Sequence, residues 1–437
     1  MTELAAESGQ RRAPPTQIAA AGAAGNVMEW FDFAIYGYMA PFLSQIFFPS
    51  DDPLASLLAV YGAFAAGYLA RPIGGMVFGH LGDTLGRKFV MIASVTVMGL
   101  CTVAIGLLPT YEQIGPLAAV ILVVLRILQG LSVGGEYTGS TVFVAEQAPA
   151  KSRGLLTSFV VSGAIGGFLL GSAVAALLTN IYSDDQMSDF IWRIPFLAGV
   201  LIMIVGLLIR RTLDEVEPPA PEVDLGPSPV LYAFRYHWRE MVRVGMLAMG
   251  ANAGFYILFV FAVSYLTDRM HISTANAMDI NTLCMVLLAI IPIISAALSD
   301  RIGRKSVLLT ATLLLVVCAY PLWSLMHHQD LTQVLLGQLG FALIVGVILG
   351  VNPVTMAESV PSHVRVSVMS VGYNVPLAVF GGTAPAVSTY LIERTGDDFS
   401  PVYYLMALST ITLIAVITLP ETFRRGMGSE TGAPTEQ

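Results

Sequence analysis

Residues 79–88 read G-H-L-G-D-T-L-G-R-K, and residues 296–305 read A-A-L-S-D-R-I-G-R-K. Asp83 and Asp300, Gly86 and Gly303, Arg87 and Arg304, and Lys88 and Lys305 correspond at an offset of 217 residues. A second pattern, E-x-x-P-x-x-x-R, runs through Glu146, Pro149 and Arg153 and returns through Glu358, Pro361 and Arg365 at an offset of 212. Both offsets approximate half of the 437-residue chain, so the chain reads as two copies of one unit in a parallel structural repeat. Either motif alone is positive decoration at a membrane boundary. Two motifs at nearly one offset mark a duplication.

What lies between the motifs is apolar. The chain is 55% hydrophobic and 12% charged, against roughly 45–50% and about 25% in soluble domains, with a mean hydropathy of +0.72. This excludes a soluble enzyme and a disordered chain. A net charge of -8 excludes a nucleic-acid binder, which needs a basic surface. Cys101, Cys284 and Cys318 all lie in apolar runs, so neither a disulfide framework nor a cysteine metal site is expected.

A membrane helix needs about 20 mostly apolar residues. Twelve such runs occur, at 18–47, 54–80, 89–109, 116–144, 155–179, 191–210, 241–267, 277–299, 306–326, 332–357, 366–392 and 401–420. They lack the ten-residue alternation of barrel strands, so the expected fold is an all-α membrane protein of twelve spans in two pseudo-symmetric six-helix bundles. The first 17 residues are polar and do not read as a leader. The expected organisation is a segment 1–17, a first bundle 18–211, a linker 212–240 rich in proline and acid, a second bundle 241–420 and a tail 421–437. With both termini inside, cytoplasmic segments carry 17 of the 22 basic residues, as the positive-inside rule requires.

Charges inside the hydrocarbon are costly, about 2.5–3.5 kcal/mol each on insertion scales. Five fall inside spans: Glu29, Asp32, Arg71, Arg126 and Glu136. On a helix, Glu29, Asp32 and Tyr36 share a stripe bordered by Asn26, and Arg126, Gln129, Glu136 and Tyr137 share another along span 4. Arg126 and Glu136 are ten residues apart, about 15 Å on a continuous helix, so each needs a partner from elsewhere. A static ion-pair network is a poor explanation, because buried pairs add little over apolar packing. A proton and anion site explains the expense: a carboxylate in a half-dry cavity loads a proton, and an arginine holds a substrate carboxylate. Asp32, Glu136 and Glu29 are the expected proton-coupling residues, three acids against two bases. The second half offers neutral groups instead: Asn252, Tyr256, Gln338, Asn352, Tyr373 and Asn374. The expected substrate-binding set is Arg71, Arg126, Asn26, Tyr36, Gln129, Tyr137, Asn252, Tyr256, Asn352, Tyr373 and Asn374. No P-loop and no flavin, haem or zinc spacing appears. Neither a cofactor nor a metal is expected, and the proton is the coupling ion.

G-N-V-M-E-W-F-D-F at 25–33, R-P-I-G-G at 71–75, Q-G-L-S-V-G-G-E-Y-T-G at 129–139 and W-R-I-P-F at 192–196, together with the duplicated motif, resemble the metabolite:H+ symporters of the major facilitator superfamily. The resemblance implies alternating access by two rocking bundles around a site between spans 1, 4, 7 and 10, and proton-driven uptake at a bacterial inner membrane. It carries coupling or binding roles to Glu29, Asp32, Arg71, Arg126 and Glu136. It also implies a cytoplasmic latch at Asp83, Gly86, Arg87 and Lys88, with Asp300, Gly303, Arg304 and Lys305 as the repeat copy. Glu146, Arg153, Glu358 and Arg365 join that gating set. Residues 25–33 and 129–139 look most like proline/betaine permeases, whereas A-V-F-G-G-T-A-P at 378–385 and L-I-E-R-T-G-D at 391–397 look more like citrate permeases.

The expectation is therefore a non-enzymatic, monomeric, proton-coupled importer of a small carboxylate-bearing metabolite, with a di- or tricarboxylate favoured. The alternatives are a proline/betaine-type zwitterion symporter, whose cation would sit among Trp30, Phe33, Tyr36 and Tyr137, and a proton-independent facilitator. The short stretch after the last span carries no heptads, so osmosensing is not expected.

Overall fold

A computed structural model describes residues 15–85, 87–211 and 229–423. Gly86, the side chains of Asp83, Arg87 and Lys88, most of the acidic linker, and Arg424 and Arg425 lie outside the described residues. The described chain is nearly all helical, without a strand. Span 1 is Pro15–Tyr38, span 2 Pro53–Leu85 and span 3 Arg87–Leu107. Span 4 comes in two pieces, Leu117–Ser132 and Glu136–Gln147, followed by span 5, Arg153–Ile181, and span 6, Arg193–Arg211. Span 7 runs from Trp238 to Asp268 through a π-helical stretch at Ile257–Phe261. Spans 8, 9 and 10 are Thr274–Ile302, Arg304–Met326 and Leu331–Glu358. Span 11 runs from Arg365 to Thr395 through a π-helical stretch at Leu377–Gly382, and span 12 is Ser400–Thr418. Nine helical stretches among the described residues are long and apolar enough to cross a membrane, and spans 1, 3 and 6 complete the expected twelve. The protein is a multi-pass membrane protein.

Packing repeats as the sequence does. Spans 1 and 5, 2 and 4, and 3 and 6 pair in the first half; spans 7 and 11, 8 and 10, and 9 and 12 pair in the second. The halves meet where span 5 packs on span 8 and span 2 on span 11, two contacts exchanged by the same pseudo-twofold. The polarity is inverted relative to a soluble protein. Leu69, Ile73, Met76 and Val77 of span 2 are exposed, as a lipid-facing stripe should be, while Arg71 and Arg126 are fully buried.

Four expectations shift. The first apolar run is two helices, because the chain turns at Met39 and restarts at Ala40–Phe47 with Pro41 in its first turn. The motif at 79–88 is not an open loop: span 2 stays helical through Leu85, and span 3 starts at Arg87. The last part of the linker is helical, at Pro229–Tyr236. Span 4 is interrupted at Val133-Gly134-Gly135, where helix-weakening residues follow one another.

Spans 2 and 4 approach backbone to backbone. A Cβ at Gly130 would collide with the Gly67 carbonyl, and one at Gly67 would lie 3.0 Å from the Arg126 carbonyl oxygen. We expect Gly130→Ala to destabilise the protein by about 1–3 kcal/mol, the usual cost of overpacking. Gly139→Ala, where an added methyl meets nothing within 4 Å, should leave the thermal midpoint in detergent unchanged or slightly raised. Equal midpoints for the two variants would refute the close-approach reading.

Candidate functional site

Two arginines organise the interior of the first half. Arg71 on span 2 pairs through Nη2 with Glu29 of span 1, and both are buried. Its guanidinium carbon lies 5.0 Å from the Trp30 ring centroid, 5.4 Å from Phe33 and 5.5 Å from Tyr68, distances at which aromatic faces attract a cation. Its Nε and Nη1 find no hydrogen-bond partner. Asn26 accepts from Trp30 Nε1 at 3.4 Å, one turn earlier on span 1.

Arg126 on span 4 forms a second layer. Its guanidinium lies 4.3 Å from the Tyr36 centroid, 4.7 Å from Phe33 and 5.5 Å from Phe64. Phe33 is thus shared by both arginines. Arg126 Nη1 donates to Gln129 Oε1 at 2.9 Å, and Gln129 Nε2 donates to Thr102 Oγ1 at 2.7 Å. Asp32 stands beside Thr102 and feels the Arg126 charge, yet makes no direct ion pair among the described residues. Its Oδ1 has no hydrogen-bond partner, and the residue is 6% exposed.

The halves meet at a narrow cleft lined by Tyr137, Asn252, Asn352, Pro353, Met356 and Tyr373, with Ala248, Ala251 and Leu349 behind. Tyr137 and Tyr373 stack across it, centroids 4.8 Å apart and planes 22° apart. Trp30 meets Tyr137 edge-on at 6.0 Å, so the Arg71 cage and the cleft form one continuous surface. Tyr373 donates to Asn252 Oδ1 at 3.3 Å, Asn352 Nδ2 donates to the Leu247 carbonyl at 2.6 Å, and Tyr256 donates to Tyr68 at 2.6 Å.

Most expected site residues therefore converge, and two do not. Glu136 is not on one continuous helix with Arg126, because span 4 breaks at 133–135. It is only partly buried, in the first turn of the second helical piece of span 4, where a carboxylate suits the helix N-terminus. Asn374 is used as glue, donating to the Gly134 carbonyl at 2.7 Å and the Ser370 carbonyl at 2.9 Å. Tyr36 donates to the Val60 carbonyl at 3.2 Å and offers Arg126 its ring. Tyr68 and Thr102 were not anticipated. Tyr68 had a signal, lying three residues before Arg71 on the same helix face; Thr102 had none.

The E-x-x-P-x-x-x-R repeat closes one face of the molecule reciprocally. Arg153 bonds Glu358 of the other half at 2.9 Å, and Arg365 bonds Glu146 at 2.5 Å. Each arginine also holds a carbonyl eight residues earlier, Arg153 that of Ala145 and Arg365 that of Ala357. Asp300 accepts from the backbone N–H groups of Gly154 and Leu155 at 3.0 and 2.8 Å, capping span 5 from across the interface, and pairs with Arg304 at 2.7 Å. Arg304 also reaches Glu358 at 3.3 Å. Gly303 takes φ +105, a conformation suited to glycine. Glu421 accepts from the N–H groups of Arg304 and Lys305, Lys305 Nζ holds the Ile417 carbonyl, and Thr422 donates to Glu358. The opposite face is joined by Tyr61–Ser264 at 2.7 Å, Ser172–Thr282 at 2.6 Å and Asn180–Asp279 at 2.9 Å. The halves touch on both sides of the cleft.

The family model described as Major Facilitator Superfamily matches residues 22–371 and again 244–434. The proline/betaine transporter of Escherichia coli strain K12 is 34% identical over 429 residues, covering 95% of this chain and 85% of that protein. A glycine betaine/proline/ectoine/pipecolic acid transporter of Dickeya dadantii is 32% identical over 431 residues, with the same coverage. Among solved structures, a proton:xylose symporter bound to 6-bromo-6-deoxy-D-glucose superposes with a TM-score of 0.75 at 16% identity, covering 95% of this chain and 98% of that one. The inward-open xylose transporter of E. coli gives 0.67 at 17% identity, covering 93% and 97%.

Two predictions follow from the charges. Glu29→Ala strands Arg71 and should cost about 3–5 kcal/mol, read as a lowered thermal midpoint, whereas the Glu29→Gln, Arg71→Met pair should recover most of it. A midpoint unaffected by the single substitution would show that the pair carries no weight. Glu146→Lys should speed labelling of a cysteine placed at Met356 from the Arg153–Arg365 face several-fold, in a background lacking the native cysteines, and adding Arg365→Glu should reverse the effect. Equal rates in both variants would exclude a latch at this pair.

Proposed function

We propose that this chain, which belongs to the Major Facilitator Superfamily of transporters, is a proton-coupled symporter for a small zwitterion of the proline/betaine type. It sits in a bacterial inner membrane with both termini cytoplasmic, the side on which its basic residues concentrate. The observation that carries the reading is Arg71: a buried guanidinium with N–H groups to spare, set in an aromatic cage that runs on into the Tyr137–Tyr373 cleft. Arg71 takes the substrate carboxylate, and the faces of Trp30, Tyr137 and Tyr373 take the ammonium. The named relatives support this reading over the di- or tricarboxylate first favoured. So does charge: among the described residues, the buried acids beside Arg71 and Arg126 are Glu29 and Asp32, a locally balanced set that a polyanion would unbalance.

Asp32 is the proton seat. Protonation removes a buried charge that no direct ion pair offsets, and the neighbouring Thr102 and Gln129 hold the site in register. The ion-paired face around Glu358 is the cytoplasmic gate and the hydroxyl-rich face is the outer one. Alternate opening of the two delivers substrate and proton together.

In proteoliposomes, an inward proton gradient should drive accumulation of labelled proline or glycine betaine, and a protonophore should abolish it. Asp32→Asn should keep exchange down a solute gradient and lose accumulation. Protonophore-insensitive accumulation would remove the coupling, and stronger competition by citrate or 2-oxoglutarate than by zwitterions would restore the polyanion reading.

A further inference from the structure

The cleft between the halves contains one polar atom whose character is settled by its own side chain. Asn352 Nδ2 donates to the Leu247 carbonyl at 2.6 Å. A carbonyl cannot accept from an amide oxygen, so the orientation of the amide is determined and Oδ1 is the atom left over. That oxygen is buried without a hydrogen-bond partner, on a residue 3% exposed. Asn352 lines the cleft together with the stacked Tyr137–Tyr373 pair. The Tyr373 hydroxyl donates to Asn252 Oδ1 at 3.3 Å, so what Tyr373 offers a ligand is its ring. Two π faces and the negative end of an amide dipole are thus gathered where bulk water is excluded, and all three present negative potential. A low local dielectric strengthens that potential, and a buried acceptor left unmet is costly. A cation answers both.

We infer that Asn352 is a specificity-determining residue: its Oδ1 faces the cationic nitrogen of the bound zwitterion and selects for positive charge there, whether that nitrogen carries hydrogens or methyl groups. This rests on the zwitterion reading above and names the group of the second half that reads the cation. A ring ammonium such as that of proline gives the oxygen an N–H. A trimethylammonium gives it methyl groups that share the positive charge, polarised C–H donors of the kind that meet carbonyl oxygens in sheets and helix interfaces. Both classes satisfy the atom, and both are held by the rings. A neutral alkyl group of the same shape leaves the oxygen unmet, and a second carboxylate is repelled by it. One buried acceptor therefore separates zwitterions from monocarboxylates on one side and from polycarboxylates on the other. Arg71 cannot make that distinction, because every one of these solutes brings it a carboxylate.

The test uses two pairs of solutes matched in shape and differing in charge at one atom: glycine betaine against the tert-butylacetate anion, and proline against cyclopentanecarboxylate. In each pair carbon replaces the nitrogen and the carboxylate is kept. Dissociation constants are measured on the purified full-length protein in lipid nanodiscs. The wild-type protein should bind both zwitterions at least about tenfold more tightly than their carbon counterparts. Asn352→Leu should weaken glycine betaine and proline alike, by about fivefold or more, and leave the two carbon compounds nearly unchanged. Asn352→Met, whose flexible side chain fills the same space, should give the same pattern and serves where the Leu variant does not fold. A packing role alone, through the Leu247 contact, would weaken all four solutes by one factor and overturn the assignment. So would unchanged affinity for both zwitterions, and either result leaves the zwitterion reading standing. A wild-type protein that binds the carbon compounds as tightly as the zwitterions would instead overturn the zwitterion reading itself.

Discussion

Everything in the first half answers to two guanidiniums that cannot give up their charge and lie where water does not. Arg71 is met by Glu29, and Arg126 by Gln129 and three aromatic rings. Their placement explains the packing of the helices that carry them. Spans 2 and 4 touch backbone to backbone at Gly67 and Gly130, and an added Cβ at Gly67 would lie 3.7 Å from Arg126 Nε. The glycines bring both arginines against the one ring of Phe33. Larger residues would separate the layers and leave each cation in hydrocarbon with fewer partners. Small residues in membrane helices are usually read as aids to packing; at this crossing they are also a condition for solvating charge without water.

The duplicated motifs acquire meaning only across the interface. Within one half, Arg153 has an acid in its own repeat, Glu146, yet it pairs with the acid of the other copy, and Arg365 does the converse. A duplication followed by exchange of partners yields two equivalent links from one pattern. These links are ionic, whereas the contacts on the opposite face are mostly between hydroxyls and amides. Hydroxyls and amides rehydrate at little cost when an interface opens, while ion pairs with buried members hold until a competing charge or a conformational change releases them. The two faces are thus closed by different chemistry.

Much of this was legible in the residues. The hydrophobic runs located twelve spans, the equal offsets exposed the repeat, and the cost of intramembrane charge singled out Glu29, Asp32, Arg71 and Arg126. What failed was the assumption that a long apolar run is one continuous helix. Glu136 was set on one strip with Arg126, about 15 Å along it, by extending 100° steps through Val133-Gly134-Gly135, where the helix is in fact interrupted. Two glycines in succession were the available warning. The π-helical stretch in span 11 carries the same mark, following Pro376 and ending on Gly381-Gly382, whereas Ile257–Phe261 in span 7 contains neither glycine nor proline. Thr102 is tied to Gln129 from another helix, 27 residues away, a relation that periodicity within one span cannot reveal.

The loss of Glu136 from the buried set changes the electrostatic argument for the substrate. With three acids against two bases, an added anion already looks costly, and a proton looks like mere correction of an imbalance. With two against two around the arginine cage, that part of the interior is neutral at rest, and on the proposed reading a solute of zero net charge enters it without compensation. On the proposed reading the proton on Asp32 is then carried in addition to a cargo of zero net charge. Each cycle moves one positive charge with a neutral cargo, and the membrane potential contributes about 2.3 kcal/mol per 100 mV to it. A tricarboxylate carried with the same proton would move net negative charge against that potential. On that reading, the charge balance that selects the cargo also sets the direction in which the membrane potential drives it.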